Sequence, residues 1–233
     1  MSPTQSITFR RRVAGVVGGL IPETVWTTLE TDLYDQVVDR LKGLDKVRIE
    51  PDIMAFIEKK KYRIGKLTQA NSGAGWTIRG NITIRPDDVN RCLEPYVLSL
   101  ILHEIFHVKR QSISMRLSVR GELDAWQYQY KIYPLLQPGH EIGEAYFGKS
   151  NEWQQLSMLS PHSRQDLEKA RDLMILIAPG YRAYALPIYP LPQEIGYYLR
   201  QFDILGIIQM LRNLVRGARG EQSGKSSPKS VQS

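Results

Sequence analysis

The stretch Leu102-His103-Glu104-Ile105-Phe106-His107-Val108 places two histidines and a carboxylate inside an apolar run. Residues four apart on an α-helix lie about 40° apart around the axis, so a helix here presents the His103 and His107 imidazoles on one face, one turn apart. That spacing lets both rings bind one zinc ion. Glu104 lies about 100° round from His103, close enough to reach a water on the metal without becoming a ligand. HExxH therefore reads as a metal site with its general base included. The plainer alternative is a pair of tolerated histidines with a salt-bridged glutamate. Against it, Val97, Leu98, Ile101, Leu102, Ile105, Phe106 and Val108 make the helix buried on most sides. Burying polar side chains without a partner costs on the order of a few kcal/mol, and a metal supplies the partner.

Two histidines leave a zinc site in need of a third protein ligand, with a fourth position left to water. A longer motif with glycine at 110 and histidine at 113 would supply it, but Arg110 and Ile113 stand there. A carboxylate from a following helix is the alternative. The segment 120–130 carries Glu122, and the residues between it and His107 can finish one helix, turn and start another packed against it. Asp124 points about 200° away from Glu122 on such a helix, so both cannot face the metal. His140, Glu141 and Glu144, in the polar passage after Pro138, compete with Glu122 for the same role.

HExxH followed by a glutamate on a later helix resembles the gluzincin group of the zincin metallopeptidases. Glu122-Leu123-Asp124-Ala125 is similar to the glutamate-x-x-alanine element of small bacterial members, and the likeness covers about residues 86–130. The resemblance implies an α+β, zincin-like fold: a small mixed or antiparallel sheet with the HExxH helix packed beneath it, and a mainly helical C-terminal half. It implies His103, His107 and Glu122 as ligands of Zn2+ and Glu104 as the catalytic base of peptide-bond hydrolysis. It also implies that the strand before the motif helix, Asn81 to Arg85, is a sheet edge on which a peptide pairs through Ile82, Thr83 and Ile84. A donor for the developing oxyanion is expected downstream, among His162, Arg164, Tyr181, Arg182, Tyr184 and Tyr189. The alternative is a catalytically silent module that uses the cleft and the segment 195–216 to hold a protein partner.

The elements that must position these residues follow from periodicity. Helical spacing of Val25, Leu29, Leu33, Val37, Val38 and Leu41 predicts a helix over 24–43. Strand character follows at 46–50, 62–68, 75–80 and 81–86, with Gly80-Asn81 making the last two a hairpin. The motif helix spans 95–112, and further helices are predicted over 121–133, bounded by Pro134, and over 163–177. A proline-rich passage at 185–194 precedes an amphipathic segment at 195–216. Four regions result: a basic tail at 1–12, a metal-binding core at 13–135, a helical part at 136–216 that completes the cleft, and a disordered basic tail at 217–233.

Length and charge bound the function classes. A chain of 233 residues, 42% hydrophobic, is large enough for a real core. Most of the formal charge of +7 belongs to the tails: Arg10, Arg11 and Arg12 with no acid in 1–12, and Arg216, Arg219, Lys225 and Lys229 against Glu221 in 216–233. The nearly neutral body does not read as a groove for nucleic acid, and no specific nucleic-acid binding is expected. Contact of the basic tails with DNA or an anionic membrane is a weaker reading. The longest apolar run, near 97–108, is interrupted by the motif and is too short to cross a bilayer. The basic-then-apolar stretch from Arg10 into Leu20 resembles a secretory leader but lacks a small-x-small cleavage site, and Cys92 is the only cysteine, so a cytoplasmic location is expected.

Overall fold

The computed structural model describes residues 27–28, 31–43, 49–58, 64–66, 74–76, 80–85, 88, 91, 93–145, 148–179, 181 and 186–218. These form a mostly helical α+β arrangement with a small mixed sheet. The helix predicted over 24–43 is shorter than its periodicity suggests. Thr27–Thr28 is a strand, β1, and the helix α1 runs over Thr31–Lys42. Two adjacent β-branched residues favour extended backbone, and pairing of Thr27 with Lys66 and of Thr28 with Gly65 fixes it. The strand predicted at 46–50 is not present at its described end. The Glu50 carbonyl instead accepts from the Ile53 and Met54 amides and opens α2, Pro51–Glu58. Proline at the first helical position with Asp52 behind it is a helix start.

The sheet continues with β2 (Ile64–Lys66), β3 (Ala74–Trp76) and β4 (Ile82–Ile84), in the spatial order β1-β2-β4-β3. β3 and β4 make the expected antiparallel hairpin, Trp76 opposite Ile82 and Ala74 opposite Ile84. Gly80, at φ 84°, takes the left-handed turn, and a Cβ there would lie 3.1 Å from Val108 Cγ1 of the motif helix.

One expectation fails here. β4 is not an edge: β2 pairs with it in parallel on its other side, Ile64 opposite Ile82 and Lys66 opposite Ile84. Ile82, Thr83 and Ile84 are all buried, as an internal strand covered on both faces requires. Their backbone is spent in the sheet and cannot receive a substrate strand. β3, on the other side of β4, runs beside the motif helix.

The motif helix α3 runs over Pro95–Arg110, again with proline at its start. A short helix α4, Ile113–Arg116, turns the chain into α5, Val119–Leu136. Pro134 lies inside α5 rather than bounding it; so near the end it removes one backbone donor without stopping the last turn. α5 is the wall shared by two cores. Tyr128, Ile132 and Leu136 join Val37, Leu41, Ile53, Ile57, the sheet isoleucines and Leu98, Ile101 and Leu102 of α3. Val119, Leu123, Trp126 and Tyr133 face the other way, toward the helices α6 (Ile142–Ala145), α7 (Ser150–Met158) and α8 (Arg164–Ile177). α8 starts where predicted, because the Ser163 hydroxyl accepts from the Asp166 amide and Asp166 Oδ2 accepts from the Ser160 amide.

The amphipathic segment predicted as one piece over 195–216 is two helices, α9 (Leu191–Arg200) and α10 (Ile204–Ala218). Phe202 sits at φ 56° between them, and Asp203 Oδ1 accepts from the Gly206 amide to start α10. Gly217 and Ala218, assigned to the C-terminal tail from composition, belong to α10. Residues 1–12 and 219–233 lie outside the described residues. Among the described residues no helix is long and apolar enough to cross a membrane.

Candidate metal centre

His103, His107 and Glu122 come together as a buried group that could hold a metal ion. His103 Nε2 and His107 Nε2 are 3.1 Å apart, Glu122 Oε1 is 3.5 Å from His107 Nε2, and Glu122 Oε2 is 3.8 Å from His103 Nε2. Ligands at 2.0–2.1 Å on a tetrahedral ion are separated by about 3.3–3.4 Å, so these distances are close to the edges such a site requires. The histidine spacing does what the 40° offset demands. Glu122 arrives through the turn that starts α5.

That turn is satisfied donor by donor. The Val119 and Arg120 amides donate to the Pro187 and Ile188 carbonyls, the Gly121 amide to the Ser118 hydroxyl, and the Glu122 amide to the Ser118 carbonyl. The three free N–H groups of Val119, Arg120 and Gly121 are thereby paired and the Glu122 amide makes the first i→i−4 bond of the helix, which fixes the first turn and the direction of Glu122. Gly121 is required beside it: a Cβ there would lie 2.0 Å from the Met115 carbonyl oxygen and 3.1 Å from Gln111 Oε1. Gly121→Ala is expected to push α5 off α4, destabilising the protein by about 1–3 kcal/mol, the range of core overpacking, and weakening metal binding in proportion to the shift of Glu122. Gly196→Ala, inside α9 where nothing lies within 4 Å, should leave metal binding unchanged and stabilise the protein by about 0.5–1 kcal/mol. Denaturant midpoints and metal titrations of the two variants check the difference.

A second layer of side chains orients the three. Gln111 Nε2 donates to the Gly121 carbonyl at 2.8 Å, which turns Gln111 Oε1 toward His107 Nδ1 at 2.7 Å. A carbonyl oxygen only accepts, so Nδ1 carries the proton and the Nε2 lone pair of the neutral ring points into the group. The Tyr181 hydroxyl donates to Glu122 Oε2 at 2.6 Å and accepts from Trp126 Nε1 at 3.1 Å. Trp126 in turn stacks on Trp153 and stands edge-on to His103. Arg116 donates to the Val108 and Gln111 carbonyls at the end of α3 and lies over the Trp76 ring, tying the motif helix to β3.

Electrostatics follow from this crowding. Burial would raise the Glu122 carboxyl, but the His107 and His103 imidazoles outweigh it and hold Glu122 far below the usual carboxylate range. Burial pulls the His107 imidazole down, and Glu122 more than reverses that. Glu104, also buried, is pushed up by desolvation, with the two histidines opposing. Burial and the neighbouring Glu122 charge both raise the Tyr181 hydroxyl, so it stays protonated and donates. A carboxylate of lowered pKa and imidazole lone pairs form a hard and borderline donor set, and a buried carboxylic acid of raised pKa stands next to it.

No family model, curated protein or solved structure matches the chain. The assignment of roles therefore rests on the geometry. Of the competing ligands, His140 and Glu144 pair with each other at 3.2 Å on the surface, Glu141 is exposed, and Asp124 stands half-buried outside the group. Of the six oxyanion candidates, Tyr181 is at the site but its hydroxyl is given to Glu122. Arg164 forms a two-bond ion pair with Glu194 and covers Tyr197, and the Tyr189 hydroxyl donates to the His162 carbonyl. The His162 side chain is exposed, and Arg182 and Tyr184 lie outside the described residues. Sequence reasoning missed Gln111, although its place four residues after His107 on the same face was the available signal. It also missed Arg116 and Trp126, whose roles depend on contacts between elements and leave no local signal.

Proposed function

We propose that the chain is a zinc-dependent metallopeptidase with a zincin-like fold, in which His103, His107 and Glu122 hold the ion and Glu104 is the base. The observation that carries this reading is the convergence of two Nε2 atoms and a carboxylate at tetrahedral-edge distances with a second, desolvated carboxyl on the next residue of the motif helix. When bound, Zn2+ supplies Lewis-acid polarisation of a carbonyl and acidifies water. Glu104 takes a proton from the attacking water as the new C–O bond forms, then gives it to the amine nitrogen as the C–N bond breaks. A carboxyl whose pKa is raised by burial suits both halves of that transfer, because it holds the proton long enough to return it.

Substrate would lie along β3 rather than β4. Trp76 at 6.5 Å from the His107 ring marks how close that strand runs to the residues that would hold the metal, whereas β4 is paired on both sides. Arg116 over Trp76 would keep the strand in register with the site. The test is cleavage of a broad peptide library by the purified chain, with and without a strong chelator. Cleavage that stops on chelation and returns on adding zinc is expected; zinc-loaded protein that cuts no peptide would remove the peptidase assignment.

A further inference from the structure

Helix α10 is mounted inside out. On a 100° wheel, Ile204, Ile208, Leu211 and Val215 fall within about 60° of one another, while Gly206, Gln209 and Asn213 fall opposite. In a helix that completes a core the first set would face the protein. Here Ile204 is 64% exposed, Leu205 78%, and Ile208, Leu211 and Val215 are all exposed. The opposite set, with Met210, lines a cavity of about 460 Å³ between α8 and α10. The helix is anchored at its start, where a Cβ on Gly206 would collide with the Tyr198 ring of α9. Phe202, at the turn before it, is 93% exposed, and Leu199 extends the same apolar surface onto α9.

Charge decides what fits this face. From Ile204 onward the sequence carries Arg212, Arg216, Arg219, Lys225 and Lys229 against the single acid Glu221, and Arg200 and Arg212 are exposed beside the apolar stripe. Of the acids near this face, Glu194 is buried against Arg164 and Asp203 caps α10, while Glu168 lies on the cavity side of the helix, opposite the apolar stripe, and pairs with Arg164. A second copy of the chain brought onto the same face would set these cations against their own kind. An aliphatic stripe with an aromatic tip, basic flanks and too little length to span is the composition of a helix that lies in the plane of a bilayer. We propose that α10, with Phe202 and Leu199, docks on the surface of an anionic lipid bilayer, the apolar stripe entering the headgroup boundary and the basic residues meeting lipid phosphates.

Flotation of the full chain with vesicles of phosphatidylcholine alone, and of phosphatidylcholine with about a third phosphatidylglycerol, tests this at about 0.05 M and about 0.5 M salt. Binding to the anionic vesicles is expected, weaker by about tenfold or more on neutral vesicles and falling with salt. Leu205→Glu with Ile208→Glu should reduce anionic-vesicle binding by about tenfold or more while leaving the thermal midpoint unchanged, since both side chains are exposed. Phe202→Asn, which keeps a residue tolerant of the left-handed backbone, provides the second variant if the double change perturbs folding. Absence of binding at low salt, equal binding to neutral vesicles, or a dimer in sedimentation that the same variants disperse would each overturn the proposal.

Discussion

Glu104→Gln is expected to lower peptide hydrolysis by a factor of about 10² to 10⁴, roughly 3–5 kcal/mol of transition-state stabilisation, while zinc content and folding stay almost unchanged. Glu104 is buried next to His103, yet it is outside the three side chains whose donor atoms converge. The amide keeps the shape of the acid and still hydrogen-bonds water, so the packing of α3 is preserved. What it lacks is the basicity to take a proton during attack and return it to the leaving amine. Burial sharpens the contrast: desolvation raises the Glu104 carboxyl against the pull of both histidines, which favours its holding the proton between the two halves of the transfer. Parallel kinetics and metal analysis on the two proteins check it. A variant that keeps its zinc and cuts as fast as wild type would remove Glu104 from the chemistry and leave the metal as a staple between helices.

The parts of this arrangement that the sequence disclosed are those whose cause is local. The helical period places His103 and His107 on one face whatever surrounds them, and Pro95, the Ser163 cap and the Gly80 turn mark element ends through local contacts, whereas Pro134, read as an end, lies inside α5. The parts it hid depend on partners far along the chain. Nothing in Ile82-Thr83-Ile84 reveals that β2 takes its other side, so the strand next to the motif helix reads as an edge when it is internal. Thr27–Thr28 sits inside a helical pattern and becomes a strand because Gly65 and Lys66 are there to pair with it. The apolar stripe of α10 is plain in the sequence, and its period is indifferent to direction. Only the packing of Gly206 on Tyr198 shows that the stripe faces outward.

Metal affinity should fall in a graded order that follows each residue's distance from the ion. Wild-type protein is expected to bind about one zinc per chain, and His103→Ala, His107→Ala and Glu122→Ala should each lose stoichiometric binding, since a three-ligand site cannot spare one. Gln111→Ala leaves the His107 ring free to turn and to change tautomer, and Tyr181→Phe removes the donor that aims Glu122 Oε2. Changes to such outer partners cost about 10-fold to 100-fold in affinity. Asp124→Ala and His140→Ala should change nothing, because Asp124 is outside the converging group and His140 is spent on Glu144 at the surface. Competition titrations against a chelator of known affinity, run on all seven variants, rank them. The informative reversal is a Glu122→Ala protein that holds zinc as tightly as wild type while a change at His140 or Glu144 releases it. That result would hand the third ligand position to the 139–144 loop and require a rearrangement that carries its exposed His140–Glu144 pair to the motif helix.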